Sequence, residues 1–334
     1  MATQITRKSS SDAPGAARPA PAAQSLAEAR RPPYAPSHGS SPEPFPEPPV
    51  GLFDLGPAQA FRVIGPDRES WLQGMVTADV LAVPVGGAAY GAFLGGKGRL
   101  VSDGLVWRRE AEMVVTVPGG RLEPLLAHLD RLLIMEDAEL LPAPGLRRLR
   151  WYPGGIAVES ALTGSWQGEG FELLLAEDEA GRLLESLPAR PATEAVEQLR
   201  VALGVPLWGR ELDEETVPLE GGLDRGISFD KGCYVGQEVV AMATFRGRVS
   251  WNLVRLQVAG APPAPGTLLD PPRAGRRGRV TSAVALPGGG AAALLGYVHK
   301  ELIAPGGQVA LEDGRAATVL GLPFGSRPGA GVCA

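Results

Sequence analysis

The stretch DKGCYVGQE, residues 230–238, combines a cysteine, a lysine two positions before it and two glycines. Glycine reaches backbone angles closed to other residues and lets another segment come close, so this spacing predicts a shaped loop. If the segment is extended, Lys231 and Cys233 project from the same side. A nearby ammonium group lowers the pKa of a thiol, and the thiolate is the form that attacks electrophiles and binds metals. The alternative is a small buried cysteine with a packing role.

Length, charge and cysteine content limit the class of protein. The chain has 334 residues and a formal net charge of -5 at pH 7, so two or three domains are expected and no basic field is available for direct nucleic-acid binding. Its two cysteines, Cys233 and Cys333, argue against a disulfide framework and indicate a reducing, cytoplasmic compartment. No apolar run reaches the roughly 18 residues that span a bilayer, so no membrane partner is expected.

Residues 1–50 differ in composition from the rest of the chain. They are rich in proline, alanine and serine and have almost no aliphatic pattern, so they cannot bury enough surface to offset the entropy of ordering. We expect a disordered tail. The scattered arginines with few acids also resemble an organelle transit peptide, but the prolines disfavour the amphipathic helix that such a peptide needs.

The pattern from residue 51 onward predicts α+β layers followed by an all-β domain. Predicted strands and helices alternate irregularly as far as residue 250, which favours two α+β subdomains over a regular parallel sheet. The strands are expected at residues 60–64, 90–94, 100–107, 113–117, 146–152, 155–160 and 171–176. The helices are expected from residue 66 to 74 and at 121–133, 178–187 and 193–203. Residues 251–334 hold short apolar runs between Pro and Gly clusters, which is typical of a small β-barrel.

Two further groups of residues stand out. The stretch LRVALGVPLWGRELDEETVPLEGGL, residues 199–223, places arginine, glycine, proline and acidic residues at distinctive intervals. In addition, Asp103 lies within the otherwise apolar predicted strand LVSDGLVW. A carboxylate there costs stability unless it has a partner or a function. Both groups are therefore candidates for a site.

These motifs resemble those of the aminomethyltransferase superfamily, that of the glycine cleavage T-protein (GcvT). Residues 199–223 are similar to the superfamily signature, and DKGCYVGQE resembles the K-G-C-[FY]-x-G-Q-E hallmark of one branch, the folate-binding YgfZ family linked to iron-sulfur cluster assembly and repair. The resemblance covers nearly everything from residue 51 onward. It implies a GcvT/YgfZ-like α+β fold, with two α+β subdomains and a C-terminal β-barrel around a central opening that holds tetrahydrofolate.

The resemblance also implies roles for individual residues. Glu220 matches the acid that hydrogen-bonds the pterin ring, whose amino group and ring N–H form a donor pair suited to a carboxylate. Asp103 falls near the strand acid that supports attack at the folate in aminomethyltransferases. Cys233 matches the hallmark cysteine. The residues expected around the cysteine and the folate are Lys231, Gln237, Glu238 and Arg200.

The chain departs from the family pattern at three positions. The superfamily's YTGE turn reads WQGE here, so Trp166 replaces a tyrosine as a possible folate contact and can only stack or donate from its indole N–H. Met242 and Trp251 stand where the branch commonly has arginines. Losing two cations removes possible partners for the carboxylates of the folate tail.

Two functions follow from the resemblance, and a third interpretation is kept as an alternative. The first is a tetrahydrofolate-binding accessory factor for iron-sulfur cluster assembly or repair, with Cys233 as a thiolate acting on client proteins. A conventional cluster takes about four protein ligands, more than this chain offers, so a resident cluster is not expected. The second is a folate-dependent aminomethyl or one-carbon transferase that uses Glu220 and Asp103. The third is a scaffold that binds neither folate nor thiol partners.

Overall fold

The computed structural model describes residues 51–152, 163–165, 171–187, 194–245, 249–273 and 276–323. These residues form two antiparallel sheets, a closed barrel and five α-helices. The expected tail of residues 1–50, the expected strand at 155–160 and Trp166 lie outside the described residues. No helix in the described part of the chain has the length and apolar character needed to cross a bilayer.

The first sheet has five strands in the order β3-β4-β5-β2-β6. Its elements, with the two helices that belong to this part of the chain, are β2 (Gln59–Ile64), α1 (Arg68–Met75), β3 (Ala88–Leu94), β4 (Leu100–Arg108), β5 (Met113–Val117), α2 (Leu122–Asp130) and β6 (Glu139–Pro142). Side chains alternate between the faces of a strand. Met113 and Val115 accordingly pack under the helices with Leu125, while Val114 packs on the opposite face, which is turned toward the second sheet.

The second sheet has four strands in the order β1-β7-β9-β8. It consists of β1 (Gly51–Pro57), β7 (Leu146–Tyr152), β8 (Thr163–Ser165) and β9 (Phe171–Ala176), followed by the helices α3 (Glu177–Ser186) and α4 (Glu194–Leu203). One face packs against α3 through Leu149, Leu173 and Ala180. On the other face Leu174 packs with Leu105 of β4. The two sheets thus share an apolar contact.

Residues from Trp251 onward form a closed six-stranded barrel with the strand order β10-β13-β12-β11-β14-β15. The strands are β10 (Trp251–Ala259), β11 (Leu268–Arg273), β12 (Arg276–Ala285), β13 (Ala291–His299), β14 (Gln308–Leu311) and β15 (Ala316–Gly321). Val254, Leu256 and Val258, at alternate positions of β10, fill the barrel core. Trp251 and Leu253 pack outside the barrel with Val201 of α4. The fold class predicted from the sequence, α+β with a C-terminal barrel, is confirmed.

The details of the elements differ from the sequence predictions: the strands β1, β6 and β8 were not predicted, and two helices differ. Helix α2 ends at Asp130, so Leu132 and Leu133, which belong to the helix predicted at residues 121–133, lie beyond it. Helix α5 (Gln237–Phe245) was not predicted, since QEVVAMATF is rich in β-branched and apolar residues and shows little helical periodicity. Its Val240 and Ala243 are buried against the loop of residues 212–234 and against β3, so tertiary packing stabilises a helix that local pattern does not indicate.

Candidate functional site

A cavity of about 370 Å³ lies between the two sheets and is closed on one side by α4 and the loop that follows it. Its volume is within the range of pockets that hold small molecules. The first sheet contributes Tyr90, Asp103, Leu105 and Thr116 to the lining, and the second sheet contributes Arg148, Arg150 and Tyr152. From α4 and its loop come Glu197, Arg200 and Trp208, among others. Polar side chains thus converge on one space from three parts of the chain.

Strand periodicity explains why these side chains meet. Asp103 and Leu105 are two positions apart on β4 and therefore project from the same face, toward the second sheet. Arg148 and Arg150 have the same spacing on β7 and point back toward the first sheet. The sheets face each other with hydrocarbon at one end, around Trp107 and Leu174, and with charged groups at the other.

Asp103 presents an unsatisfied carboxyl oxygen at this cavity. The residue is 7% exposed, its Oδ2 accepts a 2.7 Å hydrogen bond from the Tyr90 hydroxyl, and its Oδ1 is buried without a hydrogen-bond partner. Burial raises the pKa of Asp103, against the Tyr90 hydrogen bond and the charges of Arg148 and Arg121. A buried polar atom without a partner is costly, which marks Oδ1 as a group poised for a ligand.

Two arginines beside Asp103 are held by a single buried carboxylate. Glu172 is fully buried on β9, and its oxygens accept hydrogen bonds from Arg148 Nε at 2.5 Å and Arg150 Nη2 at 3.0 Å. Burial opposes ionisation of Glu172, but the charges of Arg148 and Arg150 dominate and hold its pKa below the usual value. Glu172 thus holds the guanidinium groups of Arg148 and Arg150 at the cavity wall.

Arg200 lines the cavity, but its hydrogen-bonding capacity is used within the protein. Its Nε and one Nη2 hydrogen go to Glu197 at 2.9 and 2.8 Å. The other three N–H groups donate to Val205 O at 2.6 Å, Glu211 Oε2 at 3.1 Å and Ser282 Oγ at 2.7 Å. An arginine has five N–H donors, so none remains for a ligand. Arg200 shapes the wall and ties α4 to the barrel.

Glu220, the acid expected to bind a pterin, lies outside the lining of this cavity. Its backbone carbonyl accepts a 2.8 Å hydrogen bond from the N–H of Leu253 on the barrel. Burial raises the pKa of its half-buried carboxyl group, and the charges of Arg276 and Arg99 oppose that shift. The structure therefore does not bring Glu220 and Asp103 together in one lining.

The KGC motif lies in a loop that is also outside the cavity lining. Cys233 is exposed and free. The Nζ of Lys231 donates to the carbonyl oxygens of Gln73, Val76 and Ala78 at 2.5, 2.6 and 2.7 Å. Burial lowers the pKa of Lys231 to about 8, and the charge of Asp79 opposes that shift. An ammonium group has three N–H donors and all three are used here, so Lys231 has none left to donate to the thiol.

The remaining predicted residues, Gln237 and Glu238, lie in the first turn of α5 and do not line the cavity. The sequence analysis missed the cavity residues Tyr90, Arg148 and Arg150. The two arginines had a detectable signal, since charges at alternate positions of the strand LRRLRWY place them on one face. Within the described residues, no three His, Cys, Asp or Glu side chains form a group that could hold a metal ion.

The fold and the cavity define a class: an α+β protein with a C-terminal barrel and a small-molecule cavity between its two sheets. Residues 48–140 match the model of the GCVT N-terminal domain family. The chain is 32% identical over 287 residues to an aminomethyltransferase from Rubrobacter xylanophilus, which covers 75% of this chain and 77% of that protein. It is also 29% identical over 234 residues to the tRNA-modifying protein YgfZ of Klebsiella pneumoniae, which covers 61% of this chain and 72% of that protein.

A solved structure, the glycine cleavage system aminomethyltransferase T from Bartonella henselae, has the same fold. It superposes with a TM-score of 0.69 at 21% sequence identity and covers 83% of this chain and 87% of that one. The chain therefore belongs to the GcvT-like superfamily that includes aminomethyltransferases and YgfZ proteins, as the sequence motifs predicted. Relatives with both names match it, so membership leaves the particular activity to be proposed.

Proposed function

We propose that this protein binds tetrahydrofolate in the cavity between its sheets and acts as an accessory factor in iron-sulfur cluster assembly or repair, with Cys233 as its reactive group. The buried, unpartnered Oδ1 of Asp103 is the observation that carries the folate assignment. The proposed role in iron-sulfur cluster assembly or repair is supported by Cys233, which is exposed and lies in the motif that resembles the YgfZ hallmark.

The residues present fit a folate. A pterin offers an amino group and a ring N–H as neighbouring donors, and Asp103 supplies the carboxyl oxygen that lacks one. Folates also carry carboxylates on their glutamate tail, and the guanidinium groups of Arg148 and Arg150 line the same cavity. When bound, the folate would carry the one-carbon unit, while the protein binds and orients it and excludes water.

The exposed cysteine fits an accessory role. A conventional cluster takes about four protein ligands, whereas Cys233 supplies one thiolate among the described residues. The other ligands of a cluster in transit would come from the client or assembly protein. Two similar proteins are named tRNA-modifying proteins. As the client class we propose the cluster-dependent enzymes that thiomethylate tRNA. A cytoplasmic location stays a prediction.

An aminomethyl or one-carbon transferase is the second candidate function. It is favoured by the similarity to the Rubrobacter aminomethyltransferase and by the position of Asp103 at the cavity. In this reading Cys233 is a structural residue. Incubating the purified protein with aminomethylated carrier protein and tetrahydrofolate separates the two, because formation of methylenetetrahydrofolate supports the transferase and binding without turnover supports the accessory factor.

Calorimetric titration of folinic acid tests the site directly. We expect wild type to bind and Asp103→Asn to lose at least about tenfold in affinity, since hydrogen bonds to charged groups contribute about 1.5–3 kcal/mol. Glu220→Gln is the matched comparison. An unchanged affinity of Glu220→Gln would remove Glu220 as the pterin acid, whereas a loss confined to Glu220→Gln would overturn the assignment to Asp103. If wild type gives no heat of binding, the protein does not bind folinic acid, and the interpretation as a scaffold is supported.

The cysteine is tested separately, through a client. In cells that carry Cys233→Ala as their only copy, we expect activity of a cluster-dependent tRNA thiomethylating enzyme to fall while folinic acid binding by the purified variant stays at the wild-type level. Normal thiomethylation in that strain would remove Cys233 from the mechanism without affecting the folate assignment.

A further inference from the structure

The loop that carries Cys233 closes the C-terminal end of helix α1. The last carbonyls of an α-helix have no partner within the helix, and cations are favoured there by the helix dipole. In α1, Gln73 O accepts from the Lys231 ammonium at 2.5 Å, and Gly74 O accepts from the N–H of Val235 at 3.0 Å. Residues distant in sequence thus supply the cap of this helix.

The chain just after α1 is bonded to the same loop. Lys231 Nζ reaches two more carbonyls, Val76 O at 2.6 Å and Ala78 O at 2.7 Å. Between them, Thr77 accepts through its carbonyl from the N–H of Ser228 at 2.9 Å and donates from its hydroxyl to Gly226 O at 2.5 Å. The three carbonyls around Nζ form a cradle that matches the three N–H donors of an ammonium group.

Cys233 lies between two anchored residues. On one side is Lys231, and on the other is Tyr234, which is 8% exposed and whose ring centre lies 5.0 Å from Nζ. A cation at that distance from an aromatic ring is attracted to its face. Gly232 and Cys233, between these anchors, are exposed. The arrangement holds both ends of a short segment and leaves the thiol in solvent.

We propose that Lys231 is the positioning residue of Cys233: its ammonium group fills the carbonyl cradle at the C-terminal end of α1 and thereby holds the loop that presents the thiol. This rests on the proposed function in so far as Cys233 is the working group. The role differs from activation of the thiol by charge, since it acts through the three hydrogen bonds from Nζ to backbone oxygens.

The proposal predicts rescue by small amines. In Lys231→Ala, we expect amide hydrogen exchange in the peptide of residues 228–235 to accelerate by at least about tenfold, since the bonds of Ser228 and Val235 lose their support. Methylammonium, which carries three N–H donors, should restore most of the protection. Tetramethylammonium has the same charge and no N–H donor, so it should restore none. Unchanged exchange in the variant, or equal rescue by both cations, would overturn the proposal.

The thiol provides a readout that distinguishes positioning from charge. We expect the pH midpoint of Cys233 alkylation by iodoacetamide to be the same in wild type and Lys231→Ala. An upward shift of about one unit or more would show that the lysine acts on the thiolate, and the positioning role would fail. Should Lys231→Ala not fold, Lys231→Gln, which keeps two N–H donors, serves for the same exchange and alkylation measurements.

Client activity connects the anchor to function. In cells, Lys231→Ala should reduce tRNA thiomethylation as far as Cys233→Ala does, and normal thiomethylation with Lys231→Ala alone would contradict the proposal. If Cys233→Ala itself is normal, the proposed function fails, while the exchange and rescue results still decide whether Lys231 anchors the loop.

Discussion

Asp103 shows at the scale of a single residue how a site is maintained at the expense of stability. Strand β4, which is largely apolar, holds a carboxyl group that is 7% exposed, has one hydrogen bond from Tyr90 and has one oxygen without a partner. The neighbouring cavity-facing position on β4 is a leucine, so an apolar side chain also fits this face of the strand. Destabilising groups of this kind are retained in proteins where they contribute to binding a ligand.

The cost has a definite pH dependence. Burial raises the folded-state pKa of Asp103 above its unfolded value of 3.8, so the folded state binds more protons than the unfolded state at intermediate pH. Ionising the buried carboxyl group lowers the free energy of unfolding. This loss is absent below pH 3.8 and grows as the pH rises through the folded-state pKa. We expect Asp103→Asn to be more stable than wild type at pH 7, with a difference that shrinks toward pH 4. Urea unfolding at several pH values measures this. A difference that is constant with pH would mean that the folded and unfolded pKa values are equal.

At the scale of elements, the β3–β4 turn and helix α5 fit together through a glycine. Gly98 has a φ of +69°, and a Cβ at this position would lie 2.4 Å from Cβ of Val239 in α5. The backbone of the turn therefore lies directly against the Val239 side chain of α5, the helix that begins with the QE of the motif. Such a contact requires both the left-handed conformation and the missing side chain.

The turn contains its own control, because Gly96 has open space at its Cβ position and no positive φ. We expect Gly98→Ala to lower the free energy of unfolding by about 2–4 kcal/mol, combining the strain of a left-handed alanine with overpacking against α5. Gly96→Ala should change it by less than about 0.5 kcal/mol. Chemical denaturation of both variants tests the pair. Similar values for the two would show that the turn does not press on Val239.

For the whole molecule, Arg200 joins the parts that surround the cavity. It belongs to α4, bonds to Ser282 of the barrel, and pairs with Glu211, which itself accepts from Ser282 at 2.6 Å. The outer face of the barrel, with Trp251 and Leu295, packs against the same helix. The barrel and α4 thus share one polar network and one apolar contact, which together fix the wall of the site.

Removing Arg200 should be far more damaging than removing its exposed neighbour. Arg200→Ala leaves the buried Glu211 uncompensated, and we expect a loss of about 3–5 kcal/mol. Arg210 bonds the same Glu197 at 2.6 Å, but its side chain is 52% exposed, so Arg210→Ala should cost at most about 1 kcal/mol. Thermal and urea unfolding compare the two variants. Equal losses of unfolding free energy in the two variants would show that the buried hydrogen bonds of Arg200 contribute no more to stability than the exposed Arg210 does.

The sequence by itself determined what depends on neighbours along the chain. Short apolar runs separated by turn residues predicted β4, β5 and the barrel, and the resemblance of residues 199–223 and 230–238 to family motifs predicted the superfamily. It also placed Asp103 in an apolar strand and Cys233 in a glycine-containing loop, both of which hold. Side-chain periodicity is a local property, so a single chain displays it without knowledge of the fold.

Only the tertiary structure decided which side chains meet. It brought Asp103 of one sheet to Arg148 of the other and placed Glu220 outside that cavity. Likewise, in the tertiary structure the ammonium group of Lys231 donates to carbonyls at and just beyond the C-terminal end of α1, and not to the thiol two residues away. The physical reason is that such bonds join segments far apart in the chain. Their partners are set by how sheets and loops pack, which no local pattern of residues encodes.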